Sequence, residues 1–167
     1  MKNKIVIAYS GGLDTSYCAH LMASNPENEV HAATVNTGGF STEEIADIEK
    51  KALAFGVDSY TCLQAEEILY QEVIRYLIYG NVLRNNTYPL SVSAERATQA
   101  IELVKFAQSI GANAIVHGST GAGNDQVRFD LMFQVLAPEI EIITPIRDQK
   151  LSREEEIEYL KSHGYAY

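Results

Sequence analysis

Short runs of β-branched and other apolar residues alternate with longer amphipathic segments along almost the whole chain, and this alternation constrains the fold most. The apolar runs predict five strands, at residues 4–9, 30–36, 59–63, 114–117 and 140–145. Apolar residues at helical spacing predict helices over residues 14–23, 41–56, 65–79, 93–110, 129–136 and 152–163. Strands that alternate with helices favour a parallel sheet covered on both faces. The sequence therefore predicts an α/β fold with a doubly wound, five-stranded parallel sheet.

Local signals place two helix starts and one unusual connection. Ser41 with Glu44, and Ser152 with Glu155, have the spacing of capping boxes, in which the two side chains satisfy main-chain N–H groups at a helix start. The connection over residues 81–92 is polar, contains a proline and shows no clear period. It is long for a purely structural loop, which favours a role at a functional site.

Size and charge narrow the class of protein. The chain has 167 residues and a formal net charge of −9, which predicts one acidic domain over residues 1–167. A surface for nucleic acid or anionic membrane needs a basic patch, so neither partner is expected. No apolar run approaches the roughly 18 residues of a membrane span, and no signal peptide is recognisable. Cys18 and Cys62 form no close pair, so we expect free thiols in a cytoplasmic protein.

The first glycine-rich loop joins the first strand directly to a helix and reads Ser-Gly-Gly-Leu-Asp-Thr-Ser over residues 10–16. Glycines let main-chain N–H groups converge on an anion, and the helix start adds unpaired donors. Hydroxyls of Ser10, Thr15 and Ser16 lie in the same stretch, so a phosphate or pyrophosphate is the expected ligand. The Asp14 carboxylate would repel a bare phosphate, which leaves two interpretations. Either a Mg²⁺ lies between the carboxylate and the phosphate, or Asp14 caps its own helix.

The second glycine-rich loop follows the fourth strand, over residues 117–129, and carries a mixed polar set. Arg128 can hold a carboxylate through two hydrogen bonds, and Asp125 suits an ammonium group. Thr120 and Asn124 can hydrogen-bond a second carboxylate, so the loop favours amino-acid substrates. The alternative is a solvated loop with Asp125 as a helix N-cap. Since the carboxyl ends of parallel strands share one edge, both loops are expected there.

Other polar residues carry no predicted chemistry. His117 at the end of a strand is interpreted as structural. The acidic residues 154–156 fall in a first helical turn, where the helix dipole favours acids, and are interpreted as a solvated face. No spacing of His, Cys and Asp suggests zinc, and no general base is assigned.

Both loops resemble one enzyme family. Residues 8–16 (AYSGGLDTS) are similar to the loop of the N-type ATP pyrophosphatases, and among these to that of argininosuccinate synthases. Residues 117–129 (HGSTGAGNDQVRF) resemble the same family. The resemblance covers nearly the whole chain and implies an adenine nucleotide α-hydrolase-like, Rossmann-like fold. It also implies ligation of citrulline and aspartate with ATP and Mg²⁺, releasing AMP and pyrophosphate through a citrullyl adenylate.

Carried over position by position, the resemblance implies three sets of binding residues. The ATP set is Ala8, Tyr9, Ser10, Gly11, Gly12, Leu13, Asp14, Thr15, Ser16, Val35 (through its main chain) and Gly118. The citrulline set is Tyr88, Ser93, Asn124 and Arg128, and the aspartate set is Thr120, Asn124 and Asp125. Many family members have lysine where this chain has Ala122, so no role is expected at that position.

The resemblance also bears on the extent of the protein. Argininosuccinate synthases have a second, C-terminal synthetase domain and form homotetramers, so this chain is expected to correspond to the nucleotide-binding domain alone. Two alternatives stay open: another N-type ATP pyrophosphatase, amidating or tRNA-modifying, or an ATP-binding module without its own turnover.

Overall fold

A computed structural model describes residues 2–166 of the chain, and its centre is a five-stranded parallel sheet. The strands, in chain order, are β1 (Asn3–Ala8), β2 (Asn28–Asn36), β3 (Ser59–Gln64), β4 (Leu83–Arg84), β5 (Tyr88–Pro89), β6 (Ala114–Val116) and β7 (Glu141–Ile143). The sheet has the order β3-β2-β1-β6-β7, and all its pairs are parallel. Strands β4 and β5 form a separate antiparallel hairpin. The predicted fold class is confirmed.

Eight α-helices are described within residues 2–166. They are α1 (Leu13–Ala23), α2 (Thr42–Ala54), α3 (Glu66–Leu69), α4 (Arg75–Tyr79), α5 (Ser91–Ser109), α6 (Asp125–Leu136), α7 (Pro145–Gln149) and α8 (Arg153–Ser162). A π-helical segment (Tyr70–Ile74) joins α3 to α4, so the helix predicted over residues 65–79 is a single run with a wider turn in the middle. No helix among residues 2–166 has the length and apolarity needed to cross a membrane.

The sheet separates two hydrophobic cores, because side chains of successive strand residues point to opposite faces. On one face Ile5 and Ile7 of β1 pack with buried residues of α1, α2 and α8. On the other face Val6 packs with buried residues of α5 and α6. A strand buried on both faces reads as one continuous apolar run. This is why residues 4–9 were recognisable as a strand.

Several boundaries of helices and strands differ from the prediction. Helix α6 begins at Asp125, one turn before the predicted start. The connection over residues 81–92 holds the β4–β5 hairpin, and α5 already begins at Ser91. Pro145 does not end a strand but opens the short helix α7, where its missing N–H costs no hydrogen bond.

Both predicted capping boxes are present, at Ser41 and at Ser152.

The sheet order creates a crevice at a defined place. The chain moves from β1 through β2 to β3 on one side, and β6 and β7 add on the other side of β1. The connections that leave β1 and β6 therefore diverge to opposite faces of the sheet. Ligands of open α/β sheets bind at this type of switch point, outside the carboxyl ends of the strands. The two glycine-rich loops both begin there.

The contribution of the capping box at the start of α8 to the stability of the fold can be tested. The Ser152 hydroxyl accepts a hydrogen bond from the main-chain N–H of Glu155 at 3.3 Å, and the Glu155 carboxylate accepts one from the N–H of Ser152 at 2.7 Å. We expect Ser152→Ala to lower the free energy of unfolding by about 1 kcal/mol, because the main-chain N–H of Glu155 loses its acceptor and the Glu155 carboxylate loses the hydrogen bond from the Ser152 hydroxyl. Urea unfolding followed by circular dichroism measures the change. Ser162→Ala, at the other end of the same helix, is the control, and an equal loss in both variants would contradict the capping role.

Candidate active site

A cavity of about 780 Å³ opens at the switch point between β1 and β6. Most of the residues predicted to bind ligand line it: Ala8, Tyr9, Ser10, Gly12, Leu13, Asp14, Thr15, Val35, Gly118, Thr120, Asn124, Asp125 and Arg128. Four predicted residues do not line it, namely Gly11, Ser16, Tyr88 and Ser93. The fold thus brings residues of β1, β2 and two distant loops to one concave surface.

The first loop is shaped to expose the start of α1. Gly11 has a φ of +74°, a conformation that side chains other than glycine adopt at a cost. A Cβ atom there would also lie 3.0 Å from the Ile48 side chain. The N-cap of α1 is Gly12, and no side chain caps the helix. Asp14 is therefore not the N-cap, and the interpretation that it caps its own helix is wrong.

Hydroxyl groups line the same end of the cavity. The Ser10 and Thr15 hydroxyls lie 3.3 Å apart, and Thr15 also donates to the carbonyl of Gly12 at 3.2 Å. Ser16 is buried behind the loop, where its hydroxyl lies 3.3 Å from the phenol oxygen of Tyr9. Ser10 and Thr15 are thus held ready to contact a ligand, whereas Ser16 supports the loop from the protein side.

The two glycine-rich loops touch at Gly118. A Cβ atom on Gly118 would lie 3.0 Å from the Cβ of Asp14 and 3.2 Å from the main-chain nitrogen of Thr15. Only a residue without a side chain allows this approach, because main-chain atoms cannot move aside cheaply. Gly118 therefore sets the distance between the loop that follows β6 and the start of α1.

An ion-pair cluster forms the other end of the cavity. Asp125 pairs with Arg96 at 3.2 Å and with Arg128 at 2.6 Å, and Arg128 also donates to the Ser93 hydroxyl at 3.1 Å. Asp125 is the first residue of α6, while Asn124 is its N-cap and caps no N–H through its side chain. The alternative in which Asp125 is the N-cap is therefore wrong. Ser93 lies behind Arg128 rather than in the cavity wall.

Tyr88 is separated from this cluster. It lies in the β4–β5 hairpin with 49% of its surface exposed, and it does not line the cavity. The motif that contains Tyr88 and Ser93 is thus split between a hairpin and a helix. The spacing of Tyr88 and Ser93 in the sequence does not indicate this separation, because the hairpin has only two residues in each strand.

His117 is structural in this arrangement. It is buried, its Nε2 lies 2.8 Å from Asp130, and the N–H of Ser119 donates to its Nδ1 at 3.3 Å. Since Nδ1 accepts, the ring proton is on Nε2 and donates to Asp130. Burial lowers the pKa of His117, which favours this neutral form. Arg147 pairs with the other oxygen of Asp130 at 2.6 Å, so the network anchors the second loop to α7.

Helix α8 contributes two residues that sequence reasoning missed. Arg153 lines the cavity, and Glu156 is 1% exposed, with its Oε2 unpaired among the described residues. Burial and the neighbouring Asp14 carboxylate raise the pKa of Glu156 to about 7. The interpretation of residues 154–156 as a solvated face is therefore wrong for Glu156. A signal existed, since Glu156 precedes the buried Leu160 by four residues and shares its helix face.

The two cysteines carry no chemistry at this site. Neither forms a disulfide, as expected. Burial raises the pKa of the Cys18 thiol to about 12, which keeps it protonated and unreactive.

Comparison with known proteins matches the sequence of this chain to one family. The family model described as "Arginosuccinate synthase N-terminal HUP domain" matches residues 4–166. The chain belongs to this family. The expected Rossmann-like, adenine nucleotide α-hydrolase-like fold is thereby confirmed.

Curated relatives carry the name argininosuccinate synthase. Those of Methanococcus maripaludis and Oceanobacillus iheyensis are 42% and 40% identical, each over 98% of this chain. A relative from Pyrococcus furiosus is 42% identical over 96% of the chain. The chain spans only 41%, 39% and 39% of these three relatives' lengths.

A solved structure from Methanocaldococcus jannaschii, described as a predicted subunit of tRNA methyltransferase, has a TM-score of 0.60 at 14% identity, covering 98% of this chain and 76% of its own. This likeness shows a shared fold.

The contact at Gly118 can be tested directly. We expect Gly118→Ala to lower the free energy of unfolding by about 1–3 kcal/mol, since the new methyl group would push against the main chain of the first loop. Gly121→Ala in the same loop is the matched control, because a Cβ there meets nothing within 4 Å. Chemical denaturation of both variants measures the difference. Equal stability of the two would show that the loops are not in contact.

The buried carboxyl group of Glu156 makes the free energy of unfolding depend on pH. Because the pKa of Glu156 is raised to about 7, the folded chain keeps a proton that the unfolded chain releases, and stability falls as pH rises from 4.5 through 7. We expect Glu156→Gln to stabilise the chain by about 2–3 kcal/mol at pH 8 and to flatten this dependence. Denaturation across pH 4.5–8, without divalent cations, measures it. Glu158→Gln on the exposed face is the control, and a matching gain there would refute the assignment.

Proposed function

We propose that this chain is the nucleotide-binding part of an argininosuccinate synthase, which joins citrulline to aspartate with ATP and releases AMP and pyrophosphate. The observation that carries the proposal is one cavity with two chemically different ends. The first glycine-rich loop, residues 10–16 at the start of α1, forms one end and is called the phosphate-type loop below. The cluster of Arg96, Asp125 and Arg128 forms the other end. Membership of the family and the name of the relatives support the same reaction.

The first end of the cavity suits the triphosphate of ATP. Main-chain N–H groups at the uncapped start of α1 and the hydroxyls of Ser10 and Thr15 provide donors for phosphate oxygens. Gly118 allows the second loop to approach the nucleotide closely. Beyond the loop, Val35, Phe40 and other apolar residues form a wall suited to the adenine ring. We propose that the main chain of Val35 contacts adenine.

The residues at this end also fit a Mg²⁺ that arrives with the nucleotide. No group of three or more His, Cys, Asp or Glu residues within 2–166 could hold a metal ion alone. Mg²⁺ is commonly held by one or two carboxylates together with substrate phosphates. Asp14 lines the cavity beside the loop and would supply that carboxylate, with the buried Glu156 behind it. When bound, the ion would neutralise phosphate charge.

The second end of the cavity suits the two amino acids. Arg128 and Asp125 now satisfy each other, so an incoming carboxylate would take over one side of the Arg128 guanidinium and leave Asp125 for an ammonium group. We propose that citrulline contacts Asn124 and Arg128, with Ser93 and Tyr88 completing its site. Thr120, Asn124 and Asp125 would contact aspartate.

The reaction needs little covalent participation by the protein. The ureido oxygen of citrulline attacks the α-phosphorus, the bond between the α-phosphorus and the bridging oxygen breaks, and that oxygen leaves with the pyrophosphate. The amine of aspartate then attacks the ureido carbon, and AMP departs. Alignment of the reactants and neutralisation of phosphate charge supply the acceleration.

Calorimetry and product analysis test the proposal. We expect the chain to bind ATP, pyrophosphate release to require citrulline, and AMP release to require citrulline and aspartate together. The order follows from the chemistry, since aspartate reacts only with activated citrulline. Gly121→Ala, which lies outside the proposed contacts, is the control for protein quality.

Other outcomes distinguish the alternatives. Release of AMP with ammonia or glutamine in place of the two amino acids would identify a different ATP pyrophosphatase. ATP binding with no release in the presence of both amino acids would identify a nucleotide-binding module. Absence of ATP binding would overturn the proposal.

A further inference from the structure

The cations of the cavity are not equivalent. Three arginines line it: Arg96, Arg128 and Arg153. The first two are both paired with Asp125. Within residues 2–166, Arg153 forms no hydrogen bond or ion pair, although its charge acts on the carboxyl group of Glu156. One of the three guanidinium groups is therefore available to a ligand without the loss of an existing contact.

Arg153 is held at the phosphate-type end of the cavity by its helix. It is the first residue of α8, and Glu156, one turn later on the same face, is buried against Asp14. Leu160 is fully buried in the core beneath α1. The capping box at Ser152 fixes the helix start. The backbone that carries Arg153 is thus anchored on both sides, while its side chain is exposed towards the cavity.

The position of this arginine is electrostatically unfavourable for the protein alone. The start of a helix carries a partial positive charge, so acids stabilise it and a cation does not. The next three residues of α8 are all acidic, as this rule expects. Among the described residues, Arg153 forms no ion pair that would offset its unfavourable interaction with the helix dipole. A bound anion would offset it.

The phosphate-type loop lacks a cation of its own. Residues 10–16 contain no lysine or arginine, and Asp14 and Glu156 add negative groups nearby. The triphosphate of ATP carries several negative charges, and main-chain N–H groups neutralise them only in part. Arginine can donate two parallel hydrogen bonds to phosphate oxygens, which makes it well suited to this role.

We propose that Arg153 binds the β- and γ-phosphates of ATP and the pyrophosphate that leaves. The assignment rests on the proposed function of the cavity. When the bond between the α-phosphorus and the bridging oxygen breaks, its electron pair stays on that oxygen, and negative charge grows on the pyrophosphate. A guanidinium group at that end stabilises this charge, so Arg153 contributes to catalysis as well as to binding.

Binding of three small anions by the chain tests the assignment. Arg153→Gln is compared with wild type for inorganic pyrophosphate, ATP and AMP, by calorimetry. We expect the variant to bind pyrophosphate and ATP about tenfold more weakly, as for loss of a charged hydrogen bond, and AMP within about twofold of wild type. Arg153→Lys keeps the charge but not the paired donors, and an intermediate affinity is expected.

A control on the same helix separates a local contact from a general charge effect. Lys161→Gln removes one positive charge from the far end of α8, outside the cavity. It should leave all three affinities within about twofold of wild type. In thermal unfolding Arg153→Gln should be no less stable than wild type, because its side chain is exposed and its charge is unfavourable at the helix start.

Three results would overturn the assignment, and they have different meanings. If wild type binds pyrophosphate and Arg153→Gln binds it equally well, Arg153 has no role and the proposed function stands. If Arg153→Gln weakens the binding of AMP as much as that of pyrophosphate, the charge acts non-locally. The same conclusion follows if Lys161→Gln weakens the binding of pyrophosphate as much as Arg153→Gln does. If wild type binds neither pyrophosphate nor ATP, the proposed function fails as well.

Discussion

The close contact between the two glycine-rich loops is the constraint on which the rest of the site depends. Gly118 lies against the main chain of residues 14 and 15, at a distance that leaves no room for a Cβ atom. This contact is possible because β1 and β6 are neighbours in the sheet, with Ile5 opposite Ala114 and Ile7 opposite Val116. The register of the two strands therefore determines how far apart the first glycine-rich loop and the ion-pair cluster of the cavity lie.

The charges of the cavity are arranged so that each end is held ready by a different kind of interaction. At the end formed by the ion-pair cluster, Asp125 pairs with both Arg96 and Arg128 and holds them in place. At the phosphate-type end, the donors belong to the main chain and to two hydroxyl groups, and they need no counter-charge when empty. Helix α8, which packs on α1, adds Arg153 to this end and places Glu156 beside Asp14.

Much of the fold could be predicted because its central strands β1, β2 and β6 are buried on both faces and two of its helices begin with capping boxes. The run over residues 4–9 and the capping boxes at Ser41 and Ser152 are local signals, and local interactions produce them. The start of α6 was placed one turn late, since the loop before it is polar and α6 begins with polar residues. The hairpin with Tyr88 was missed because strands of two residues leave no period in a sequence.

The sequence by itself determined the parallel α/β class, the phosphate-type loop and the polar composition of the second loop, because these follow from residue types that are adjacent in the chain. Only the tertiary structure decided which side chains share the cavity. Arg153 lines it and Glu156 lies beside Asp14 because α8 packs on α1, as the 3.2 Å contact between His20 Nδ1 and the Tyr159 hydroxyl shows (a separation of 139 residues). Proximity of this kind arises from the packing of buried surfaces, which short-range patterns do not encode.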